Sequence, residues 1–259
     1  MTAHHIRFDT TDDGIAVLTI DRAEKRNAMS WAMLEAFNRA IETAAQDDTV
    51  RVLVVMGVPG AFCAGTDLSD LKDNPVADRP REQRDTPWWL LTACPKPVIA
   101  AIDGYAVGMG AELASQCDVR LVSPNAKFSW NFGQRGLVPD TGAGSWLLPR
   151  LIGPSQALHL LYSGEIVDAE AALAMGFAQA IHAPGALLAA AMETARKYLA
   201  ASPFSLARMK RLVWEGLERD VAAHMVAHGR ALSECVNSND HREGVAAFLE
   251  KRAPNFTGT

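Results

Sequence analysis

Long apolar runs, basic clusters and paired cysteines are all missing from this 259-residue chain, and each gap removes a class of function. No stretch approaches the roughly 20 consecutive apolar residues of a membrane-crossing helix, so an integral membrane protein is not expected. Lys and Arg number 25 against 30 Asp and Glu, for a formal net charge of −5. No basic run would track a phosphate backbone, and nucleic acid is therefore not an expected partner. The opening residues, Met1 to Arg7, lack the basic-then-apolar order of a signal peptide, which makes the cytoplasm the expected location. The four cysteines, Cys63, Cys94, Cys117 and Cys235, form no CxxC pair, which argues against a zinc knuckle or a dithiol redox motif. Histidine is absent between His5 and His159. Histidine-dependent catalysis by the first-half loops is thus ruled out unless a tail histidine folds back. His224 and His228 have the i, i+4 spacing of a metal pair but lack a third ligand, so no metal is expected.

What is present is an ordinary globular composition, 49% hydrophobic and 21% charged, with alternating short apolar runs and helical patterns that point to an α/β fold. Residues 15–20 read as a strand. Ser30 then stands as an N-cap before Trp31, Leu34, Phe37, Ile41 and Ala44, whose spacing predicts a helix ending near Asp47 and Asp48. Residues 50–56 and 97–102 are nearly continuous apolar runs, as in strands covered on both faces. A glycine-bearing loop follows each. The second loop leads into a helix over about 111–117. Between these units, residues 69–96 carry four prolines and weak periodicity, and read as a mobile surface segment able to act as a lid. From Pro154 onward the chain is alanine-rich and helical, with Asp168 and Ser202 as helix starts and Gly176 as a helix end. The expected division is a core over 1–199 and a helical appendage over 200–259. Its apolar residues Leu206, Met209, Leu212, Val213 and Leu217 suggest packing on another subunit.

Gly108-Met109-Gly110 follows a strand and opens a helix, as a dinucleotide fingerprint does, but Leu113 stands where the third glycine belongs. No P-loop and no GxSxG elbow occurs either. Two glycine-flanked loops before helices do supply backbone N–H groups for a developing negative charge, which is the requirement of an oxyanion hole. Ala61-Phe62-Cys63-Ala64-Gly65-Thr66-Asp67-Leu68 resembles the first oxyanion segment of the enoyl-CoA hydratase/isomerase (crotonase) superfamily. Residues 101–113, Ala101 to Leu113, resemble the second. The resemblance runs from Asp21–Met29 to Arg242–Arg252. It implies a spiral of ββα units with a C-terminal helical trimerisation region, assembled as a trimer or a dimer of trimers. It also implies an acyl-CoA thioester substrate with coenzyme A as part of that substrate and no separate cofactor. The oxyanion amides would be those of Thr66 and Met109. Arg26, Ala28, Ala64, Gly65, Asp67 and Leu68 would hold the substrate and its CoA moiety, flanked by Gly108 and Gly110, with Lys251 approaching from a neighbouring subunit.

The carboxylates bear on the reaction. Glu112 lies one helical turn beyond Met109, so it can face the same pocket. Family hydratases pair such a glutamate with a second one, and here Phe132 occupies that position against the substrate. Asp140, after Pro139, supplies another carboxylate, and the stretch resembles an isomerase branch acting on phenylacetate-derived and enoyl thioesters. An enoyl-CoA isomerase is the leading expectation, with Asp140 moving the proton and Glu112 assisting. An enoyl-CoA hydratase, with Glu112 activating water, and a non-catalytic acyl-CoA binder are the alternatives. Trp88, Trp89, Trp130 and Phe132 are candidates to wall an apolar acyl pocket.

Overall fold

The computed structural model describes residues 2–3, 5–73, 89–139 and 143–259. Asp140 and Trp88 lie outside the described residues. Along the chain, the strands are Thr2–Ala3 (β1), Ile6–Thr10 (β2), Ile15–Ile20 (β3), Val52–Gly57 (β4), Ala61–Cys63 (β5), Val98–Ile102 (β6), Tyr105–Val107 (β7), Val119–Val122 (β8), Lys127–Ser129 (β9), Val167–Asp168 (β10) and Ala180–Ile181 (β11). The helices are Trp31–Gln46 (α1), Leu68–Asp73 (α2), Leu90–Ala93 (α3), Met109–Gln116 (α4), Ala143–Ile152 (α5), Pro154–Ser163 (α6), Ala169–Ala174 (α7), Leu187–Leu199 (α8), Pro203–Gly216 (α9), Val221–Val236 (α10) and Asn239–Glu250 (α11).

The strands form two sheets. One has the order β1-β2-β3-β4-β6-β8-β11, and the other β10-β9-β7-β5. Consecutive strands alternate between them: β4, β6 and β8 lie in the first sheet, and their immediate successors β5, β7 and β9 lie in the second. Each repeat thus lays one strand in each sheet, and the chain winds as a spiral. Strands β3, β4, β6 and β8 pair in parallel, which requires cover on both faces and accounts for their unbroken apolar sequences. One face packs into the core between the sheets, with α1, through Leu18, Phe37, Leu53, Val55 and Phe128. The other, through Ile15, Val52, Val54 and Ile99, is covered by Leu187, Ala191 and Ala195 of α8.

Local chemistry sets several boundaries as expected. The Ser30 hydroxyl accepts the Met33 amide at 3.3 Å, Asp168 caps α7 through the Ala171 amide at 2.9 Å, and Ser202 caps α9 through the Ser205 amide at 3.1 Å. These satisfy first-turn N–H groups that have no partner inside the helix.

Other readings are corrected. Helix α4 begins at Met109 rather than Ala111. Tyr105–Val107, read as part of a glycine loop, is a strand of the second sheet. Of the segment 69–96, expected as a mobile surface stretch, the described ends carry helices α2 and α3, and residues 74–88 lie outside the described residues. Trp130 is a core residue: its ring packs on Phe128 and Phe177, with centroids at 6.4 and 5.2 Å.

Candidate active site

The site is a consequence of strand order. Because β5, β7 and β9 pair in parallel as neighbours, their C-terminal ends lie side by side, and so do the loops that leave them. The carboxyl ends of parallel strands are where α/β sheets place ligands.

The loop after β5 carries Ala64 to Leu68. It is tied to residues 26–29: Met29 donates its amide to the Gly65 carbonyl at 2.8 Å, Asp67 donates to Met29 at 2.8 Å, and Ala64 donates to Arg26 at 3.1 Å. Arg26 and Asn27 hold left-handed backbone, with φ of 52° and 59°, a conformation rare outside glycine and Asn. Asn27 is fully buried. Its side-chain amide donates to the Ala61 carbonyl at 2.6 Å, and its oxygen accepts the Arg22 amide at 2.8 Å, so local strain is offset by hydrogen bonds to both segments. Arg22 in turn pairs with Asp67 at 2.8 Å. Burial works against the charge of Asp67, yet the Ser69 amide and the Arg22 guanidinium outweigh it and hold the carboxyl below its usual range. Asp67 therefore organises the loop.

The loop after β7 carries Gly108 and Met109. Gly108 adopts φ 55° and ψ −121°, which a side chain would resist, and its amide donates to Ser129 at 2.8 Å. The two loops meet closely. A Cβ on Gly65 would lie 3.0 Å from the Val107 carbonyl oxygen and 3.9 Å from the Met109 amide nitrogen. A Cβ on Gly110 would lie 2.0 Å from the Cys63 carbonyl oxygen, so only glycine lets the first turn of α4 rest on β5. Neither the Thr66 nor the Met109 amide donates to a backbone acceptor among the described residues. The Met109 amide also stands at the positive end of α4.

Glu112 is fully buried, and its carboxylate accepts the Gly144 amide at 2.6 Å. Gly144 has no room for a side chain, since a Cβ would lie 2.9 Å from the Pro139 ring and 3.0 Å from the Glu112 oxygen. The end of β9 brings in Phe132, whose ring tip would stand 3.9 Å from a Cβ on Gly108; the residue is buried. The described site thus combines two backbone donors, one carboxylate and one aromatic ring.

Other expected site residues are more loosely placed. Arg26 is exposed, with its guanidinium 5.7 Å from the centre of the Tyr105 ring. Ala28 and Ala64 are half-buried and Leu68 is exposed. Lys251 is exposed at the end of α11 as its left-handed C-cap, φ 56°. Asp140 lies outside the described residues.

Two residues that organise the site were not anticipated. Asn27 carried a signal, since Asn is the residue type that tolerates left-handed backbone. Arg120 carried none. It is buried, yet it donates to the carbonyls of Cys117 at 2.5 Å, Ala114 at 3.3 Å and Phe177 at 2.5 Å, and so satisfies the C-terminal end of α4.

A two-sheet ββα spiral with paired backbone donors beside a buried carboxylate defines a class of enzymes that act on thioesters. The enoyl-CoA hydratase/isomerase family model matches residues 10–259, and the chain belongs to that family. It is 36% identical over 262 residues to an enoyl-CoA hydratase of Alternaria alternata, covering 99% of this chain and 88% of that one. It is also 33% identical over 244 residues to the 2,3-dehydroadipyl-CoA hydratase of Escherichia coli, covering 94% and 95%. The crystal structure of an enoyl-CoA hydratase from Bacillus anthracis superposes with a TM-score of 0.90 at 28% identity, covering 99% of this chain and all of that one. The fold is that of the family, and the chain is an enoyl-CoA hydratase/isomerase enzyme.

Proposed function

We propose that this enzyme holds the thioester oxygen of a 2-enoyl-CoA between the Thr66 and Met109 amides and adds water across the double bond. The observation that carries this reading is that neither the Thr66 nor the Met109 amide donates to a backbone acceptor among the described residues, with Met109 one helical turn before the buried Glu112 carboxylate. Each such donor contributes roughly a hundredfold to a thousandfold in rate when aimed at the oxyanion. The hydratase names of relatives at 33–36% identity support hydration as the reaction. Glu112 takes a proton from water as its oxygen bonds to the β carbon. The electron pair moves through the α carbon onto the thioester oxygen, and return of a proton to the α carbon, with Asp140 as the second acid/base group, completes the addition. Residues 26–28 and 64–68 border the CoA moiety, and Lys251 reaches its phosphates from a neighbouring subunit of a trimer or dimer of trimers.

Phe132 favours a second reading. The sequence resemblance places Phe132 at the position of a second hydratase carboxylate, and its buried ring lies against Gly108; on this reading Asp140 moves a proton between the α and γ carbons to shift the double bond. NMR of the products from matched 2-enoyl and 3-enoyl thioesters separates the two. Formation of the 3-hydroxyacyl product is expected, whereas interconversion of the two enoyl substrates without uptake of water overturns hydration in favour of isomerisation.

A further inference from the structure

A cavity of about 890 Å³ lies between α3, α5 and α9, and Trp89, Trp146 and Trp214 line it together with Thr92, Cys94 and Ser145. Its volume falls at the upper end of the range for small-molecule sites and is far more than a four-carbon acyl group fills.

Two contacts tie the cavity to the candidate active site. The Gly144 amide holds the Glu112 carboxylate at 2.6 Å, and the next two residues of the same helical turn, Ser145 and Trp146, line the cavity. On the other side, the Thr92 hydroxyl donates to the Gln116 carbonyl at 3.2 Å, at the far end of the helix that Met109 opens. Four residues separate Glu112 from Gln116, a rise of about 6 Å. The cavity is therefore bordered by elements that pack on α4 at Glu112 and at Gln116, and an acyl group with its thioester oxygen at Met109 and its reacting carbons at Glu112 would continue toward that side.

The walls are aromatic and fixed. The Trp146 ring stands edge-to-face with Trp89 at 5.4 Å between centroids, and the Arg150 guanidinium covers it at 3.9 Å from the ring centre. Charged groups nearby have partners within the protein: Arg208 with Glu234 at 2.7 Å, Lys210 with Asp118 at 2.8 Å, and Glu215 with Arg219 at 2.5 Å. Arg211 and Glu218 also line the cavity, and its three tryptophan rings supply an aromatic surface that suits flat apolar groups through offset or edge contacts.

We propose that this cavity selects an acyl group carrying an aryl ring or a planar apolar group of similar size, in preference to a short linear one. The assignment rests on the enoyl-CoA reading above for the direction of the acyl group. It is tested by binding and turnover in parallel. Binding of the saturated thioesters 3-phenylpropionyl-CoA and butyryl-CoA is measured by calorimetry on the wild type, Trp146→Ala and Trp146→Phe. The corresponding enoyl thioesters are assayed for turnover. The wild type is expected to bind the phenyl compound about 30-fold or more tightly, as burial of a ring's apolar area implies. Trp146→Ala should lose at least tenfold of that preference while leaving butyryl-CoA within about threefold, and Trp146→Phe should retain most of it. Equal affinity of the wild type for the two thioesters overturns the proposal, as does a parallel loss for both in Trp146→Ala with none in Trp146→Phe. If the preference is found but neither enoyl thioester is turned over, the cavity assignment stands and the reaction proposed above falls.

Discussion

Replacing Gly110 by alanine should pull the two loop amides apart while leaving Glu112 chemically intact. The added Cβ would stand 2.0 Å from the Cys63 carbonyl oxygen, 2.8 Å from its carbon and 2.9 Å from the Cys63 Cβ. Ordinary contact begins at 3.4 Å, so α4 and the end of β5 must separate by at least about 1 Å. No flexible side chain can give way in their place, because two of the three clashing atoms are backbone. Overpacking of this kind costs roughly 1–3 kcal/mol of stability, and here the upper end applies. Function should suffer more than stability. Met109 rides on the displaced turn and Thr66 follows Cys63 by three residues, so the displacement falls directly between the two donors. A misplacement of about 1 Å lowers rate on the order of a hundredfold, and loss of one oxyanion donor costs about the same or more. The assay is kcat/KM on an enoyl thioester, with a urea melt to verify folding. Gly185→Ala is the control, since nothing lies within 4 Å of its Cβ position. A folded Gly110→Ala enzyme that keeps kcat/KM within about threefold of the wild type would refute the idea that contact between the loops sets the donor geometry.

Glu112→Gln keeps an oxygen for the Gly144 amide but removes the base. Turnover should fall about 10²- to 10⁴-fold with thermal stability nearly unchanged, and steady-state kinetics with a melting curve check both. Arg120→Met leaves the Ala114, Cys117 and Phe177 carbonyls without their donor, at a cost of about 2–4 kcal/mol after relief of the buried charge is counted; urea denaturation measures it. Asp67 has its folded pKa below the unfolded value near 3.9. Its contribution to stability is therefore present above that unfolded value and is lost as pH falls toward the folded one. Asp67→Asn should flatten the acid limb of a stability-versus-pH curve below about pH 4, and an unchanged limb counts against the Arg22 contact.

Legibility in the sequence followed the length of the element and the range of its contacts. Strands β3, β4 and β6 span five or six residues, long enough for an apolar run to be recognised. Those of the second sheet span two or three, too short for any periodicity, and Tyr105–Val107 consequently read as loop. Glu112 was legible because Met109 is one helical turn away. Its partner Gly144, 32 residues on, was not, since nothing local to either residue records their meeting. Arg120 sits in the apolar strand β8 two residues after Asp118, but Asp118 pairs with Lys210 at 2.8 Å. The partners of Arg120 are carbonyls at a helix end, which are invisible to a reading of side chains.

The spiral distributes the candidate site among its turns, and on the reading proposed above that distribution separates thioester binding from proton transfer. The turn ending in β5 supplies the Thr66 amide, and the turn ending in β7 supplies the Met109 amide and Glu112. The turn after β9 supplies Phe132 and the Gly144 contact. Binding the thioester oxygen uses backbone, which leaves glycine-rich signatures because close approach tolerates little else. Moving the proton uses side chains, which substitute freely within an unchanged frame. On the same reading, a change confined to the third turn, at position 132, would act on the proton-transfer step and leave in place the donors proposed to stabilise the enolate. On this architecture, variants at Phe132 should shift product distribution far more than thioester affinity, and variants at Gly110 should do the reverse.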